Sequence, residues 1–239
     1  MPRLERLQIS GKDLGALAMP EPCPRCFWIQ YHAPSGLPFQ IFPGIFSSID
    51  SYTKRVIHAW FDRHGCPPGW LDGLGPIAAC LKPPHHFKFR MLDEKSNVLL
   101  TGAPDGIFLR ADGSHLIVDY KTSRYTGTQD SLFPLYEAQL NSYAVIAQES
   151  GFSPVSGLAL VYLEPITDQE TASEDKVHLS EGFLMGFSAR VLPVALNAGI
   201  IRRLLDRARE ILDQPRAPAG REGCEECLRL DGLLRLVGG

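Results

Sequence analysis

Alternating and helical spacings of apolar residues divide this chain into segments before any chemistry is considered. Residues 116–122 read Leu-Ile-Val-Asp-Tyr-Lys-Thr, an apolar strand whose side chains point alternately to two faces. Leu116, Val118 and Tyr120 share one face; Ile117, Asp119 and Lys121 share the other. Residues 99–110 also read as extended, and Ala111-Asp112-Gly113-Ser114 between the two runs carries hairpin turn chemistry. Pairing symmetric about Asp112 sets Leu109 opposite His115, Ile107 opposite Ile117 and Asp105 opposite Asp119. After a polar stretch at 123–130, the pattern predicts a helix over 135–150, ended by Gly151, and a buried strand over 157–163. Strand, helix, strand in that order implies a right-handed crossover and a parallel pair.

Ser10 or Gly11 begins a short helix that ends before Pro20. Ile49, Tyr52, Val56 and Trp60 recur at helical spacing behind a Ser47 or Ser48 cap, with His58 opposite the centre of that stripe. A loop carrying His85 and His86 precedes a strand at 87–92, and 176–188 adds one or two more strands. Residues 192–212 read as a long amphipathic helix, and 214–223, rich in Pro, Gly and Arg, as a tether. The fold expected is α/β, a central mixed sheet with helices on both sides and a cleft at the ends of its two central strands. Residues 1–239 are read as one domain.

Composition agrees with that picture. At 239 residues and 44% hydrophobic content, the chain can bury a sizeable core without dividing. A formal charge of −3 gives no global basic field, which counts against tight unassisted DNA binding. Arg202, Arg203, Arg207 and Arg209 are interspersed with Asp206, Glu210 and Asp213, as on a solvated helix face. Residues 1–6 contain no apolar signal region and no run approaches a membrane span, so a cytoplasmic setting without disulfides or membrane partners is expected. No Gly-x-x-x-x-Gly-Lys-Ser/Thr loop is present, so any unwinding must come from a partner.

Candidate chemistry concentrates at the carboxyl end of the 116–122 strand. Asp119 beside Lys121 makes a poor core and a sensible site. Directly opposed strand residues have Cβ atoms about 4.5–5.5 Å apart, and carboxylates that close repel unless a cation lies between them. Oxygen ligands of this kind suit Mg²⁺ or Mn²⁺. Lys121 would then be placed to orient a water or to neutralise charge developing on a phosphate. Taken singly, Pro104-Asp105-Gly106 also reads as a turn, and Asp119 with Lys121 as an exposed strand-end pair.

A second signal is cysteine spacing. Cys23-Pro24-Arg25-Cys26 and Cys224-Glu225-Glu226-Cys227 can supply four thiolates to one tetrahedral centre if the chain ends meet. Phe27, Trp28 and Tyr31 would pack that knob against the domain. Cys66 and Cys80 stand alone and read as small buried hydrophobes.

Gly102-x-x-Asp105, Asp119-Tyr120-Lys121-Thr122 and Gln139-x-x-x-Tyr143 occur in that order. Together they resemble the PD-(D/E)XK nuclease superfamily, in its RecB-like and Cas4-like branch. The resemblance implies a restriction-endonuclease-like fold, with Asp105, Asp119 and the Tyr120 carbonyl as Mg²⁺ or Mn²⁺ ligands and Lys121 as the catalytic lysine. Gln139 and Tyr143 would lie one turn apart on a helix bordering the cleft. RecB-like nucleases often add a metal-ligating histidine from an early helix, and His58 is the corresponding candidate. The implied activity is DNA phosphodiester hydrolysis, as a single-stranded exonuclease or end-processing enzyme with helicase, CRISPR or repair partners. Cas4-like nucleases tie their termini together through four cysteines around a [4Fe-4S] cluster, usually one cysteine early and three late. Here there are two and two, a spacing that by itself favours zinc. The competing reading is a non-catalytic adaptor for nucleic acid or a helicase, stabilised by the cysteine-bound metal.

Overall fold

The structure is a computed structural model that describes residues 6–33, 44–126 and 131–238. Part of the predicted polar stretch, 127–130, lies outside the described residues, as does most of 1–6. Strand β1 (Leu7–Ser10) leads into helix α1 (Gly11–Ala16), whose cap is Ser10: its Oγ accepts from the Asp13 N–H at 3.0 Å. Helices α2 (Pro24–His32) and α3 (Gly44–His64) follow, then a 3-10 turn over Gly69–Leu74. Five strands come next: β2 (Ile77–Leu81), β3 (Arg90–Asp93), β4 (Val98–Thr101), β5 (Gly106–Arg110) and β6 (His115–Lys121). Helix α4 (Phe133–Glu149) and strand β7 (Val155–Pro165) precede the one-turn α5 (Gln169–Ala172). A small hairpin of β8 (His178–Leu179) and β9 (Gly182–Phe183) leads to β10 (Phe187–Val194), α6 (Gly199–Leu212) and α7 (Glu225–Val237).

The central sheet runs β10-β7-β6-β5-β2 and is mixed, with β6 and β7 parallel and the other neighbours antiparallel. Helix α4 makes the crossover between the parallel pair, as the strand–helix–strand order predicted. Alternation along the strands sorts side chains into two cores. Ile107, Ile117, Leu158 and Leu160 face α1, α2, α4 and α6. Phe108, Leu116, Val118, Tyr120 and Val161 face α3 and the 3-10 turn, meeting Ile57, Phe61, Leu71 and Leu74. The fold is therefore the expected α/β arrangement, a mixed sheet flanked by helices on both faces. A second sheet, β1-β4-β3, lies in the first of these layers.

The β5–β6 hairpin fixes the register that matters for the site. Gly113 turns with φ +82°, Arg110 N–H reaches Ser114 O at 2.8 Å, and Asp112 Oδ1 accepts from Ser114 N–H at 2.9 Å. Ile107 then pairs with Ile117 and Leu109 with His115, the predicted register. Asp105 stands one residue before β5 begins, toward the end of β6 that carries Asp119.

Several elements depart from expectation. The extended run at 99–110 is broken at 102–105, because β4 leaves the central sheet to pair with β1 and β3. Strand β3 starts at Arg90 rather than at 87, since Lys88 and Phe89 N–H groups both turn back to His85 O. The helix expected over 192–212 begins only at Gly199. Leu192 to Val194 complete β10, an edge strand where Pro193 is tolerated as it would not be inside a helix. Helix α3 starts at Gly44, ahead of the predicted Ser47 or Ser48 cap, and buries Ile57 and Phe61 instead of the Tyr52–Val56–Trp60 stripe. Tyr52 is 64% exposed and, with Ile49, Val56, Trp70, Leu163 and Phe187, lines an open apolar groove of 380 Å³.

Arg202, Arg203 and Arg207 are exposed, as on a solvated face, with Arg202 paired to Asp93, whereas Arg209 is only 13% exposed and pairs with Asp213 at 2.9 Å. Among the described residues, no helix is long and apolar enough to cross a membrane.

Candidate active site and cysteine centre

Both helical layers reach the carboxyl end of β6, and the polar residues gather there. Asp119 is buried, 3% exposed, on the β6 face that looks toward α4. Gln139, buried on α4, connects the group. Its Nε2 donates to Asp119 Oδ1 at 3.1 Å and to the Tyr143 hydroxyl at 2.8 Å, while its Oε1 accepts from Lys121 Nζ at 3.2 Å. Lys121 Nζ also lies 2.5 Å from Asp119 Oδ2 and 4.3 Å from the centre of the Tyr136 ring. The ammonium is thus fixed by a carboxylate, an amide oxygen and an aromatic face.

Asp105 completes the group from the start of β5. Its Oδ2 accepts the Tyr120 N–H at 2.8 Å, extending the strand pairing past the end of the ladder. Its Oδ1 meets Lys54 Nζ at 2.7 Å, and Lys54 also contacts Asp50 Oδ2 at 2.8 Å. Burial and the neighbouring Asp119 charge push the Asp105 pKa up to about 7, with Lys54 and the Tyr120 N–H pulling the other way. Burial works against the Lys54 charge, yet Asp105 and Asp50 outweigh it and raise its pKa. Burial, with the Asp119 charge, also raises the pKa of Tyr143, so its hydroxyl stays protonated at neutral pH.

Asp105, Asp119, Lys121, Gln139 and Tyr143, the residues singled out from sequence, therefore share one polar cluster, and Tyr120 joins through its backbone N–H. His58 makes its hydrogen-bond contact elsewhere, its Nδ1 lying 3.5 Å from Cys80 Sγ. Lys54, one turn earlier on α3, takes the place beside Asp105. Sequence reasoning missed Lys54, Asp50 and Tyr136. The signal for the first two is present, since 50, 54, 57 and 61 recur at helical spacing and 57 and 61 are the buried positions.

The four cysteines also converge, joining the N- and C-terminal segments. Sulfur separations are 3.5 Å for Cys23–Cys227 and 3.6 Å for both Cys26–Cys224 and Cys26–Cys227. Among the described residues, this is the one group of three or more Cys, His, Asp or Glu side chains whose ligand atoms all lie within 4.8 Å of one another. Phe27 is buried beside it, Trp28 and Tyr31 pack on the same core, and Trp28 Nε1 donates to Gln214 O at 3.0 Å.

A sequence model of the PD-(D/E)XK nuclease superfamily matches residues 73–230. The chain belongs to that superfamily. The matched span holds Asp105, Asp119, Lys121, Gln139 and Tyr143 but excludes Lys54, Asp50 and the first cysteine pair. No curated protein matches the chain. A solved crystal structure of SSO0001 is similar at 14% identity, covering 99% of this chain and 87% of that one, with a TM-score of 0.45.

A PD-(D/E)XK nuclease implies a divalent cation, and the carboxylates here fit one. Asp105 and Asp119 are hard oxygen donors, close enough that the Asp119 charge opposes ionisation of Asp105. Asp119 Oδ2 is buried, and its partner is the Lys121 ammonium. A cation on Asp105 would displace Lys54 or share the carboxylate with it.

Gly102, the first residue of the Gly-x-x-Asp segment, is explained by packing. A Cβ there would stand 2.6 Å from Cδ1 and Cε1 of the Tyr143 ring, which is wedged edge-on against Phe89. Gly102→Ala is expected to shift Tyr143 off Gln139 and destabilise the fold by about 1–3 kcal/mol. The melting temperature should fall, and an unchanged one would count against the close approach.

Proposed function

We propose that this chain is a Mg²⁺- or Mn²⁺-dependent deoxyribonuclease that trims single-stranded DNA or DNA ends, in the manner of Cas4-like nucleases. The observation that carries the reading is the cluster of Asp105, Asp119, Lys121 and Gln139, which places one buried and one half-buried carboxylate and an ammonium at one strand end. A packing role alone gives no reason for that cost.

Asp105 and Asp119, with the Tyr120 carbonyl, would hold the cation. The ion would supply Lewis-acid chemistry, favouring attack on the scissile phosphate and ionisation of a water. Lys121 contributes an ammonium whose direction is set by Asp119, Gln139 and Tyr136, so it can hydrogen-bond the attacking water and offset charge growing on phosphorus. Gln139 keeps Asp119 and Lys121 in register, because its amide donates to one and accepts from the other. The Tyr143 hydroxyl accepts the remaining amide proton and fixes which way Gln139 faces.

Another observation favours the adaptor reading: the Lys54 ammonium already pairs with Asp105, so the site is partly neutralised by the chain itself. One assay separates the two. End-labelled single- and double-stranded DNA are incubated with Mn²⁺ and wild type, Asp119→Ala or Lys121→Ala. The nuclease reading expects cleavage that needs the ion and disappears in both variants, with the product ladder distinguishing exonuclease from endonuclease action. A folded wild type that cuts neither DNA in Mn²⁺ overturns it in favour of the adaptor.

A further inference from the structure

The four cysteines carry an inference independent of phosphodiester chemistry. The family resemblance points to a four-iron cluster, and the sulfur geometry does not fit one. Zn–S bonds of about 2.3 Å at tetrahedral angles set the sulfurs about 3.8 Å apart. The separations found are 3.5, 3.6 and 3.6 Å, with all four sulfurs inside a 4.8 Å span. A cube with an iron behind each cysteine would spread the sulfurs well beyond that span. A disulfide is also absent, since paired sulfurs lie at about 2.05 Å and all four thiols are free.

We propose that Cys23, Cys26, Cys224 and Cys227 bind a single tetrahedral zinc ion that clasps the two ends of the chain together. The local structure of the two pairs is alike. Cys23 caps α2 and Cys224 caps α7, and neither makes a side-chain capping bond to its own helix. Cys26 and Cys227 follow on the first turns, so two helix N-termini point their positive ends at the four sulfurs. The Arg221 N–H adds a contact to Cys23 Sγ at 3.4 Å. Among divalent ions that accept four thiolates in so small a space, zinc outcompetes ferrous iron by the Irving–Williams order.

The clasp has a definite mechanical task. Helix α7 carries outward leucines at 228, 233, 234 and 236 and docks on α2. Besides the cysteines, the bidentate Arg25–Asp231 pair at 2.7 and 3.1 Å joins these two helices. Without the ion, α7 should come away from the body.

The test uses the full chain purified under anaerobic conditions without added metal. Elemental analysis should find one zinc per chain, no iron and no acid-labile sulfide. Cobalt substitution should give the intense visible bands of a tetrahedral thiolate site, bleached by added zinc. Cys227→Ala should lose the ion, whereas Cys227→His, which offers a Cys₃His set, should keep it. Chelated wild type and Cys227→Ala should be cut by protease within 213–238 about tenfold faster than the zinc form, and a control variant at the exposed Cys66, Cys66→Ser, should not. Iron with labile sulfide would overturn the proposal in favour of a cluster, and iron without sulfide would overturn the choice of zinc. A metal-free protein with four reduced thiols and a protected C-terminal helix would remove the clasp altogether.

Discussion

Asp119→Asn is expected to lower DNA cleavage by about 10³-fold or more while leaving the protein folded. Asparagine keeps the side-chain shape and an oxygen that can still accept from Gln139 Nε2, but it cannot hold a divalent cation at Oδ2. Lys121 retains Gln139 Oε1 and the Tyr136 face as partners for its charge. Lys121→Met should behave differently. It too should slow cleavage by about 10²–10⁴-fold, but it leaves Asp119 Oδ2 buried without its ammonium, at a cost of roughly 3 kcal/mol in metal-free buffer. Combining the two substitutions removes both charges, so the double variant should recover most of that stability and none of the activity. Because the residues touch, this non-additivity is itself the signature. It is read by denaturant unfolding beside the cleavage assay. Wild-type cleavage in Asp119→Asn, or a double variant less stable than Lys121→Met, would remove the pair from its assigned place.

How much of this was legible in the sequence depended on whether local chemistry or tertiary packing decided the outcome. The hairpin was legible because Asp112 and Gly113 enforce one register, and that register carries Asp105 toward Asp119. Gln139 and Tyr143 were legible because an i, i+4 pair on one helix face needs no knowledge of the neighbours. Helix α3 was harder. It offers an aromatic stripe at 52, 56 and 60 and a second line at 50, 54, 57 and 61, and only the sheet decides which faces inward. Choosing the aromatic stripe turned attention to His58 and hid Lys54. The end of β10 and the start of α6 were blurred for a related reason. Pro193 in an apolar run resembles a helix entrance until the sheet edge that tolerates it is known. The meeting of the cysteine pairs spans a sequence separation of 198 residues for Cys26 and Cys224, and sequence spacing could state only what would follow if they met.

The largest stability effect should come from Asp105 in metal-free protein. Burial and Asp119 raise its pKa from 3.8 to about 7, so between those values the folded chain holds a proton that the unfolded chain has released. Stability from this group is therefore complete below pH 4 and declines as pH rises through 7, by about 1.4 kcal/mol per unit and roughly 4 kcal/mol in all. Asp105→Asn should abolish that decline. Relative to wild type, its melting temperature should be on the order of 10 °C higher at pH 8 than the difference seen at pH 4. Lys54→Met should do the reverse, since removing the ammonium leaves Asp105 facing Asp119 alone and moves its ionisation to higher pH. A divalent ion competes for the same proton, so Mn²⁺ should raise the wild-type melting temperature more at pH 8 than at pH 5 and release protons when it binds. It should do nothing for Asp119→Asn. If wild type and Asp105→Asn keep a constant difference across pH 4–8, the carboxylates do not oppose each other, and the shared place for a cation between them is lost with that repulsion.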